Sequence, residues 1–160
     1  MVIGGGGFFF ESLSLLKKIR DENEVNIIIP SDSQLLKQRI SEVFDTPMIV
    51  DVMPAVTTVS LSKVQQGVNF MKCLLVGAQL LNNIKPDVVI VVASSMAVPL
   101  FMIARLFKIK TVFIDSITRV NKASKTGLIV SRYKLVDRFY VQWPDAVHLY
   151  PDALYEGTVL

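Results

Sequence analysis

The chain has 160 residues, which is enough for one domain with one hydrophobic core. Its net charge of +3 arises from 17 basic and 14 acidic residues spread along the chain, which supports nucleic-acid binding only weakly and allows a mild attraction to anionic lipid or phosphate. Cys73 is the single cysteine, which excludes an intramolecular disulfide and indicates a reducing compartment.

Apolar residues make up 51% of the chain, and its mean hydropathy is +0.47. These values predict either a sheet covered on both faces or an apolar surface that meets another molecule. The apolar start of the chain has no basic region before it and is soon interrupted by Glu11, Lys17 and Lys18, so no secretory signal is predicted. Residues 88–104 are uncharged, but Ser94, Ser95 and Pro99 split them, which favours strand, turn and helix over a membrane span. We expect the chain to stay in the cytoplasm.

Hydrophobic periodicity predicts strands that alternate with helices. The first part of the chain contains strands at 1–3, 25–29 and 48–52, helices at 11–20 and 34–42, and a loop at 54–60. A long helix begins at Ser62, and its apolar stripe is predicted to lie in the core: Val64, Val68, Met71, Leu74, Leu75, Ala78 and Leu81. Strands at 88–92, 111–114 and 138–141 follow, with helices at 96–107 and 127–136. The helix at 96–107 is apolar almost all round, so it is either buried on several sides or rests against lipid.

This alternation implies right-handed βαβ units. We therefore predict an α/β fold for residues 1–160 as a single domain. It is a Rossmann-like open parallel sheet of five to six strands, covered by helices on both faces.

Three predicted strands end in polar loops. The first opens onto Gly4, Gly5, Gly6 and Gly7, the strand at 88–92 onto Ser94 and Ser95, and the strand at 111–114 onto Asp115, Ser116 and Arg119. Ligands of open α/β sheets bind outside the carboxyl ends of the strands, where the strand order reverses. The three loops are therefore predicted to line one crevice.

The glycines allow a ligand to approach the backbone closely, and the helix that follows offers unpaired N–H groups to a diphosphate. A flexible turn without a ligand is the alternative. The glycines lack the G-x-G-x-x-G spacing, and no acid closes the second strand, so no dinucleotide cofactor is predicted. Ser94 and Ser95 are either ordinary helix caps, or the amides of Ser95 and Met96 bind a phosphate or a sugar hydroxyl.

An acid at the end of a strand, such as Asp115, is placed to orient a hydroxyl or to take its proton. Arg119, Lys122 and Lys125 are either a solvated loop or a positive rim that attracts phosphate. His148 is the single histidine and has no cysteine nearby, so no metal site is predicted.

Several segments of the second half resemble a known family: Ile114-Asp-Ser-Ile-Thr-Arg-Val120, Ser124-Lys-Thr-Gly127, Asp137-Arg-Phe-Tyr-Val-Gln-Trp-Pro144, Tyr150-Pro151 and Tyr155-Glu-Gly157. They are similar to the acceptor-side, membrane-recruiting subunits of split UDP-sugar glycosyltransferases. That family includes a subunit of the eukaryotic transferase that makes dolichol-linked chitobiose, and bacterial polysaccharide proteins of the PssD and CpsF type.

The resemblance implies the amino-terminal half of a GT-B glycosyltransferase. A partner subunit would bind the UDP-sugar, while this chain holds a polyprenyl-diphosphate-linked sugar at the cytoplasmic face of a membrane, as a peripheral protein. Transfer would invert configuration and need neither metal nor cofactor. Residues 145–160 would grip the partner, with Trp143, Tyr150 and Tyr155 as the contacting side chains.

The sequence departs from the family at the glycine loop, where Phe8 stands in place of a histidine. The role of catalytic base then passes to Glu11 or Asp115, or the chain supports an assembly with little catalysis of its own. Phe8, Phe9 and Phe10 either pack in the core or insert into a membrane surface beside Lys17 and Lys18.

Three functions are therefore considered. The first is the acceptor half of a split glycosyltransferase, and the second is a non-catalytic anchor that recruits and stabilises the donor-binding subunit. The third, an independent Rossmann domain that binds a small molecule, is disfavoured by the missing ribose-binding acid and the high apolar content.

Overall fold

The computed structural model describes residues 1–33, 35–44, 50–56 and 62–160. The helices are α1 (Phe8–Ile19), α2 (Leu35–Val43), α3 (Lys63–Ile84), α4 (Ala97–Leu106), α5 (Lys125–Arg132) and a 3₁₀ helix (Pro144–Leu149). The strands are β1 (Ile27–Pro30), β2 (Val50–Met53), β3 (Val88–Val92), β4 (Lys110–Ile114), β5 (Arg138–Val141) and β6 (Ala153–Tyr155).

Most predicted elements are present within a few residues of their predicted bounds. Gln34 of the predicted second helix, residues 48 and 49 of the predicted third strand, and residues 57–60 of the predicted loop lie outside the described residues. The short strand β6 was not predicted, because three residues carry no readable periodicity.

The pairing of Val2 with two neighbours joins the strands into one sheet. Val2 forms parallel bridges to Ile28 in β1 and to Val91 in β3, and its N–H donates to the Ile90 carbonyl at 2.8 Å. All other pairs are parallel, so the order across the sheet is β2, β1, Val2, β3, β4, β5 and β6. The predicted parallel sheet is thus confirmed, and its strand order reverses between Val2 and β3.

Two apolar clusters lie on opposite faces of the sheet because side chains alternate along each strand. Helices α1 and α2 pack with Ile3, Ile27 and Ile29 on one face. Helices α3, α4 and α5 cover the other face, where Phe113 and Phe139 of β4 and β5 lie. On the α1 side, the neighbouring row is only half-buried and contains Ile90, Val112 and Tyr140.

The long helix α3 begins with a capping box. The Ser62 hydroxyl accepts the Gln65 N–H at 3.3 Å, and the Gln65 side chain accepts the Ser62 N–H at 3.0 Å. The residues that α3 buries are Cys73, Gly77 and Leu81.

The prediction that the apolar stripe of this helix lies in the core is wrong for four of its members. Leu81 is buried, but the exposed side chains are Val64, Val68, Met71 and Leu75. The helix is apolar on two faces. The face with small residues packs inwards, because small side chains permit close approach to α4. A Cβ at Gly77 would already lie 3.2 Å from Leu100 Cδ2.

The two glycines of α3 should respond differently to alanine. Gly67 is exposed with open space around its Cβ position, so Gly67→Ala should raise the free energy of unfolding by about 0.5–1 kcal/mol through helix propensity. Gly77→Ala gains the same propensity but must displace Leu100, so its stability should fall below that of Gly67→Ala. Urea unfolding of both variants checks this, and equal gains would contradict the packing described.

Candidate functional site

A cavity of about 430 Å³ opens at the carboxyl edge of the sheet, where the strand order reverses. Gly4, Gly5 and Gly6 line one side, and Ser94 and Ser95 line the other. The structure therefore brings together two of the three polar loops, at the position where open α/β sheets bind ligands. Gly7 belongs to the same loop but does not line the cavity.

The glycine loop lies against Ser94 on one side and against Ser33, in the loop after β1, on the other. A Cβ at Gly4 would lie 3.7 Å from Ser94 Cβ, and a Cβ at Gly5 would lie 3.0 Å from Ser33 Oγ. Gly6 has a φ of 71°, which side-chain-bearing residues rarely adopt. The glycines thus keep the cavity open to a ligand.

Helices α1 and α4 both begin at this cavity. Their N-cap residues, Gly7 and Met96, make no side-chain cap hydrogen bond, although the Ser94 hydroxyl accepts the Met96 N–H at 3.3 Å. Helix amino termini carry a partial positive charge and present N–H groups, which favours an anion. The first turn of α4 has no acidic residue, whereas the first turn of α1 contains Glu11, so the amino terminus of α4 is the more favourable of the two for an anion.

Several cavity residues escaped the sequence analysis. Asp32 and Ser33 follow β1, Ala55 and Val56 follow β2, and Thr126 lies in the first turn of α5. The signal that could have found them is the same carboxyl-edge rule, because β1 and β2 end at this edge too.

Asp115 does not line the cavity, so the prediction of one crevice with three loops is wrong for the third loop. Asp115 follows β4 at the same edge, and the Ala93 N–H donates to the adjacent Ile114 carbonyl at 2.9 Å. However, its carboxylate is buried and accepts a hydrogen bond from the Tyr150 hydroxyl, while Oδ1 has no partner. Burial raises the pKa of Asp115, against the smaller opposing effect of the Tyr150 and Ser124 hydrogen bonds.

The buried side chain of Tyr150 anchors the carboxyl-terminal segment to the core of the domain. It is not exposed for contact with a partner. Its ring packs on Phe139 at 4.6 Å between centroids, and its hydroxyl accepts the Ser124 N–H at 2.6 Å. Burial and the Asp115 hydrogen bond raise the pKa of Tyr150 to about 12. With 4% of its surface exposed, Tyr150 cannot be the partner-contacting side chain that was expected.

Glu11 lies at the centre of a buried network. One carboxylate oxygen accepts the Ser116 hydroxyl at 2.8 Å, and the other accepts the Ile117 N–H at 3.0 Å and the Gln142 amide at 2.6 Å. The Gln142 amide also donates to the Asp115 carbonyl at 2.9 Å. This network ties α1 to the loop after β4 and to the residue after β5.

Two residues that were expected to contact substrate, Glu11 and Ser116, form part of this network. Glu11 and Ser116 are both buried, donate or accept within the network, and do not line the cavity. Their placement therefore does not fit the roles of catalytic base and substrate ligand in this conformation. Gln142 was missed, although it stands within the Val-Gln-Trp-Pro motif that carried the family resemblance.

The remaining predicted residues are more accessible. Arg119 is half-buried, lies outside the cavity, and exerts only the smallest of the effects on the pKa of Asp115. Trp143 and Tyr155 are exposed, and the Trp143 indole donates to the Ile117 carbonyl at 2.5 Å. Their exposed surfaces are available to a partner.

The three phenylalanines have different environments. Phe9 is buried in the cluster beneath α1, which follows the core interpretation and contradicts membrane insertion of this ring. Phe8 is half-buried and lines the cavity, whereas Phe10 is exposed. Within the described residues, no helix is both long and apolar enough to span a membrane.

Solved structures share this architecture. The chain is similar to MurG from Acinetobacter baumannii, with a TM-score of 0.70 and 14% identity, over 99% of this chain and 44% of MurG. It is also similar to UDP-GlcNAc 2-epimerase from Neisseria meningitidis bound to UDP-GlcNAc, with a TM-score of 0.69 and 13% identity, over 99% of this chain and 46% of the enzyme. The chain spans less than half of each structure. Its fold is thus a Rossmann-like α/β domain that corresponds to part of a GT-B-type protein.

The sequence identifies the family within this class. The family model described as "Oligosaccharide biosynthesis protein Alg14 like" matches residues 1–159, so the chain belongs to the Alg14-like family.

Relatives in yeasts carry the description "UDP-N-acetylglucosamine transferase subunit ALG14". The Yarrowia lipolytica protein is 26% identical over all of this chain and 80% of its own length, and the Candida albicans protein is 26% identical over all of this chain and 77% of its own length. The Kluyveromyces lactis protein is 43% identical over 32% of this chain and 21% of its own length.

Asp115 should make the stability of the protein fall as the pH rises. Its native pKa is raised above the value in the unfolded chain, so the native state keeps a proton that the unfolded chain has lost. The resulting contribution is complete below about pH 3.8 and disappears as the pH passes the native pKa. Asp115→Asn should remove this part of the dependence of the unfolding free energy on pH.

Urea unfolding from acid to neutral pH measures the effect. Asp152→Asn is the matched control, because Asp152 is exposed in the same carboxyl-terminal segment. Identical pH slopes for the wild-type chain and Asp115→Asn would contradict the burial of an ionisable carboxyl group at this position.

Proposed function

We propose that this chain is the acceptor-side subunit of a two-chain glycosyltransferase. The complex transfers a sugar, N-acetylglucosamine by the name of the relatives, from a UDP-sugar to a polyprenyl-diphosphate-linked saccharide. The observation that carries the proposal is the cavity at the reversal of strand order, formed by the glycine loop and Ser94–Ser95, in a chain of the Alg14-like family. The reaction takes place at the cytoplasmic face of a membrane, with the chain peripherally attached.

The cavity suits the diphosphate and first sugar of such an acceptor. Its volume falls within the range of roughly 300–1,000 Å³ that is usual for small-molecule sites. The amino terminus of α4, whose first turn has no acidic residue, favours the phosphate charge, and the glycines allow backbone N–H groups to approach it. Ser33, Ser94 and Thr126 supply hydroxyl groups that pair with sugar hydroxyls.

The donor is bound mainly by the partner subunit. This chain matches under half of MurG and of the epimerase, whereas it matches most of two relatives that are themselves called subunits. A second chain with the remaining half of a GT-B-type fold would therefore complete the enzyme.

The partner is expected at residues 145–160 and the neighbouring sheet surface. Trp143, Leu154 and Tyr155 are exposed there, and the half-buried Tyr140 pairs with Leu154 in register. The end of this segment is held towards α1, because the Val159 N–H donates to Gln142 Oε1 at 3.0 Å and Lys18 donates to the Val159 carbonyl at 3.1 Å. A partner that covers these side chains also contacts the segment tied to the Glu11 network.

Among the described residues that line the cavity, Asp32 is the carboxylate placed to act as catalytic base. Proton removal requires a base within hydrogen-bond reach of the acceptor hydroxyl. Of the three carboxylates considered, Glu11 and Asp115 are buried away from the cavity, whereas Asp32 is exposed and lines it. Phe8 also lines the cavity but cannot accept a proton.

Substitution of Gly5 should weaken acceptor binding. Gly5→Ala places a methyl group 3.0 Å from Ser33 Oγ inside the cavity and should raise the KM for the lipid-linked acceptor about tenfold, or about 1.4 kcal/mol of binding free energy. Gly7→Ala is the matched control, since its Cβ meets nothing within 4 Å. Steady-state kinetics of the chain with its donor-binding partner measures both, and an unchanged KM for Gly5→Ala would remove this cavity as the acceptor site.

Asp32→Asn should lower kcat by about 10²-fold or more, the usual contribution of a general base. Asp87→Asn, an exposed carboxyl at the opposite edge of the sheet, should leave kcat unchanged. Full activity of Asp32→Asn in a stable complex would instead favour the second candidate function, a non-catalytic anchor that recruits and stabilises the donor-binding subunit.

A further inference from the structure

The outward face of α3 is apolar without any covering element in the described structure. Val64, Val68, Met71 and Leu75 are 77%, 49%, 58% and 65% exposed. Their spacing of four, three and four residues places them in one stripe along the helix, roughly 17 Å long at 1.5 Å per residue. This stripe, the α3 outer stripe, lies opposite the residues that α3 buries against the rest of the fold.

The chemistry of the α3 outer stripe favours a lipid surface over a protein. Its members are three aliphatic side chains and one methionine. The methionine alone belongs to the residue types enriched at protein interfaces, and the stripe contains none of the tryptophan, tyrosine or arginine residues that dominate binding there. All 22 residues of α3 lack acidic groups, and its two cations, Lys63 and Lys72, are exposed. Apolar area flanked by lysines is the pattern of helices that lie in the interface of an anionic bilayer.

The inner side of the same helical turns contacts the cavity wall. The Asn69 amide donates to the Ala55 carbonyl at 3.3 Å, and the Cys73 thiol donates to the Pro54 carbonyl at 2.8 Å. Ala55 and Val56 line the cavity. The α3 outer stripe is therefore separated from the cavity by about one helix diameter, roughly 10 Å.

The position of the stripe along α3 agrees with this geometry. In a βαβ unit of a parallel sheet, the connecting helix begins at the carboxyl edge of the first strand. The stripe occupies the first half of α3, between β2 and β3, and hence the end of the domain at which the cavity opens. If a membrane surface lies against the stripe, its lipid headgroups are therefore close to the mouth of the cavity.

We propose that the α3 outer stripe rests on the surface of an anionic membrane and holds the cavity at the headgroup level. The inference deepens the proposed function, because it names the surface by which a lipid-borne acceptor reaches the site. It replaces the three phenylalanines as the main membrane contact, since only Phe10 of those is exposed.

Vesicle co-sedimentation of the full chain tests the proposal. With vesicles of phosphatidylcholine and about 30% phosphatidylserine, the double variant Val68→Gln and Leu75→Gln should bind at least tenfold more weakly than the wild-type chain. Lys72→Gln should weaken binding to these vesicles but not to pure phosphatidylcholine. The matched control is Leu106→Gln, which makes an equally exposed apolar residue of α4 polar and should leave binding unchanged. Circular dichroism confirms that each variant is folded.

The outcomes separate this inference from the proposed function. Transfer to a water-soluble, short-chain acceptor by the assembled complex should be unaffected by the double variant, because the α3 outer stripe does not line the cavity. Equal vesicle binding by the double variant and the wild-type chain would overturn the membrane contact while leaving the glycosyltransferase proposal intact. Analytical ultracentrifugation without lipid measures whether the double variant still pairs with the donor-binding subunit. Loss of this pairing would also overturn the membrane contact, because the stripe would then bind a protein partner.

Discussion

The pairing of Val2 with both Ile28 and Val91 is the constraint on which the rest of this structure depends. It joins strands β1 and β2 to strands β3 to β6, and it creates the reversal of strand order beside the glycine loop. Because strands are parallel, their loops and helix amino termini gather at one edge. The cavity, with its glycines and serines, is a consequence of this single central strand segment.

Buried polar contacts then connect this edge to the carboxyl-terminal segment. The Gln142 side chain donates to Glu11 and Asp115 and accepts from Val159, while Tyr150 holds Asp115 and Ser124. Removing one member of such a network leaves buried groups unpaired, so these side chains are strongly coupled. The carboxylates of Glu11 and Asp115 thereby position loops, and among the described residues the solvent-accessible carboxylate at the cavity is that of Asp32.

Three surfaces surround this framework, and each has a distinct chemistry. The cavity combines hydroxyl groups with helix amino termini, which suits a phosphorylated sugar. Trp143 and Tyr155 offer exposed aromatic area near the end of the sheet, which suits a protein. The α3 outer stripe offers aliphatic area flanked by lysines, which suits lipid. In the proposed enzyme, acceptor, partner and membrane are thus assigned to separate parts of one domain.

The sequence by itself determined the alternation of strands and helices, the parallel α/β fold and the meeting of the glycine loop with Ser94 and Ser95, because these follow from local periodicity and the geometry of parallel sheets. It also indicated the family, but through the resemblance of particular motifs and not through periodicity. Only the tertiary structure decided where Glu11 and Asp115 point, since their partners lie 131 and 35 residues away in Gln142 and Tyr150. It also decided which apolar face of α3 is buried. Periodicity reveals apolar faces, but side-chain size determines which of two faces fits against a neighbouring helix.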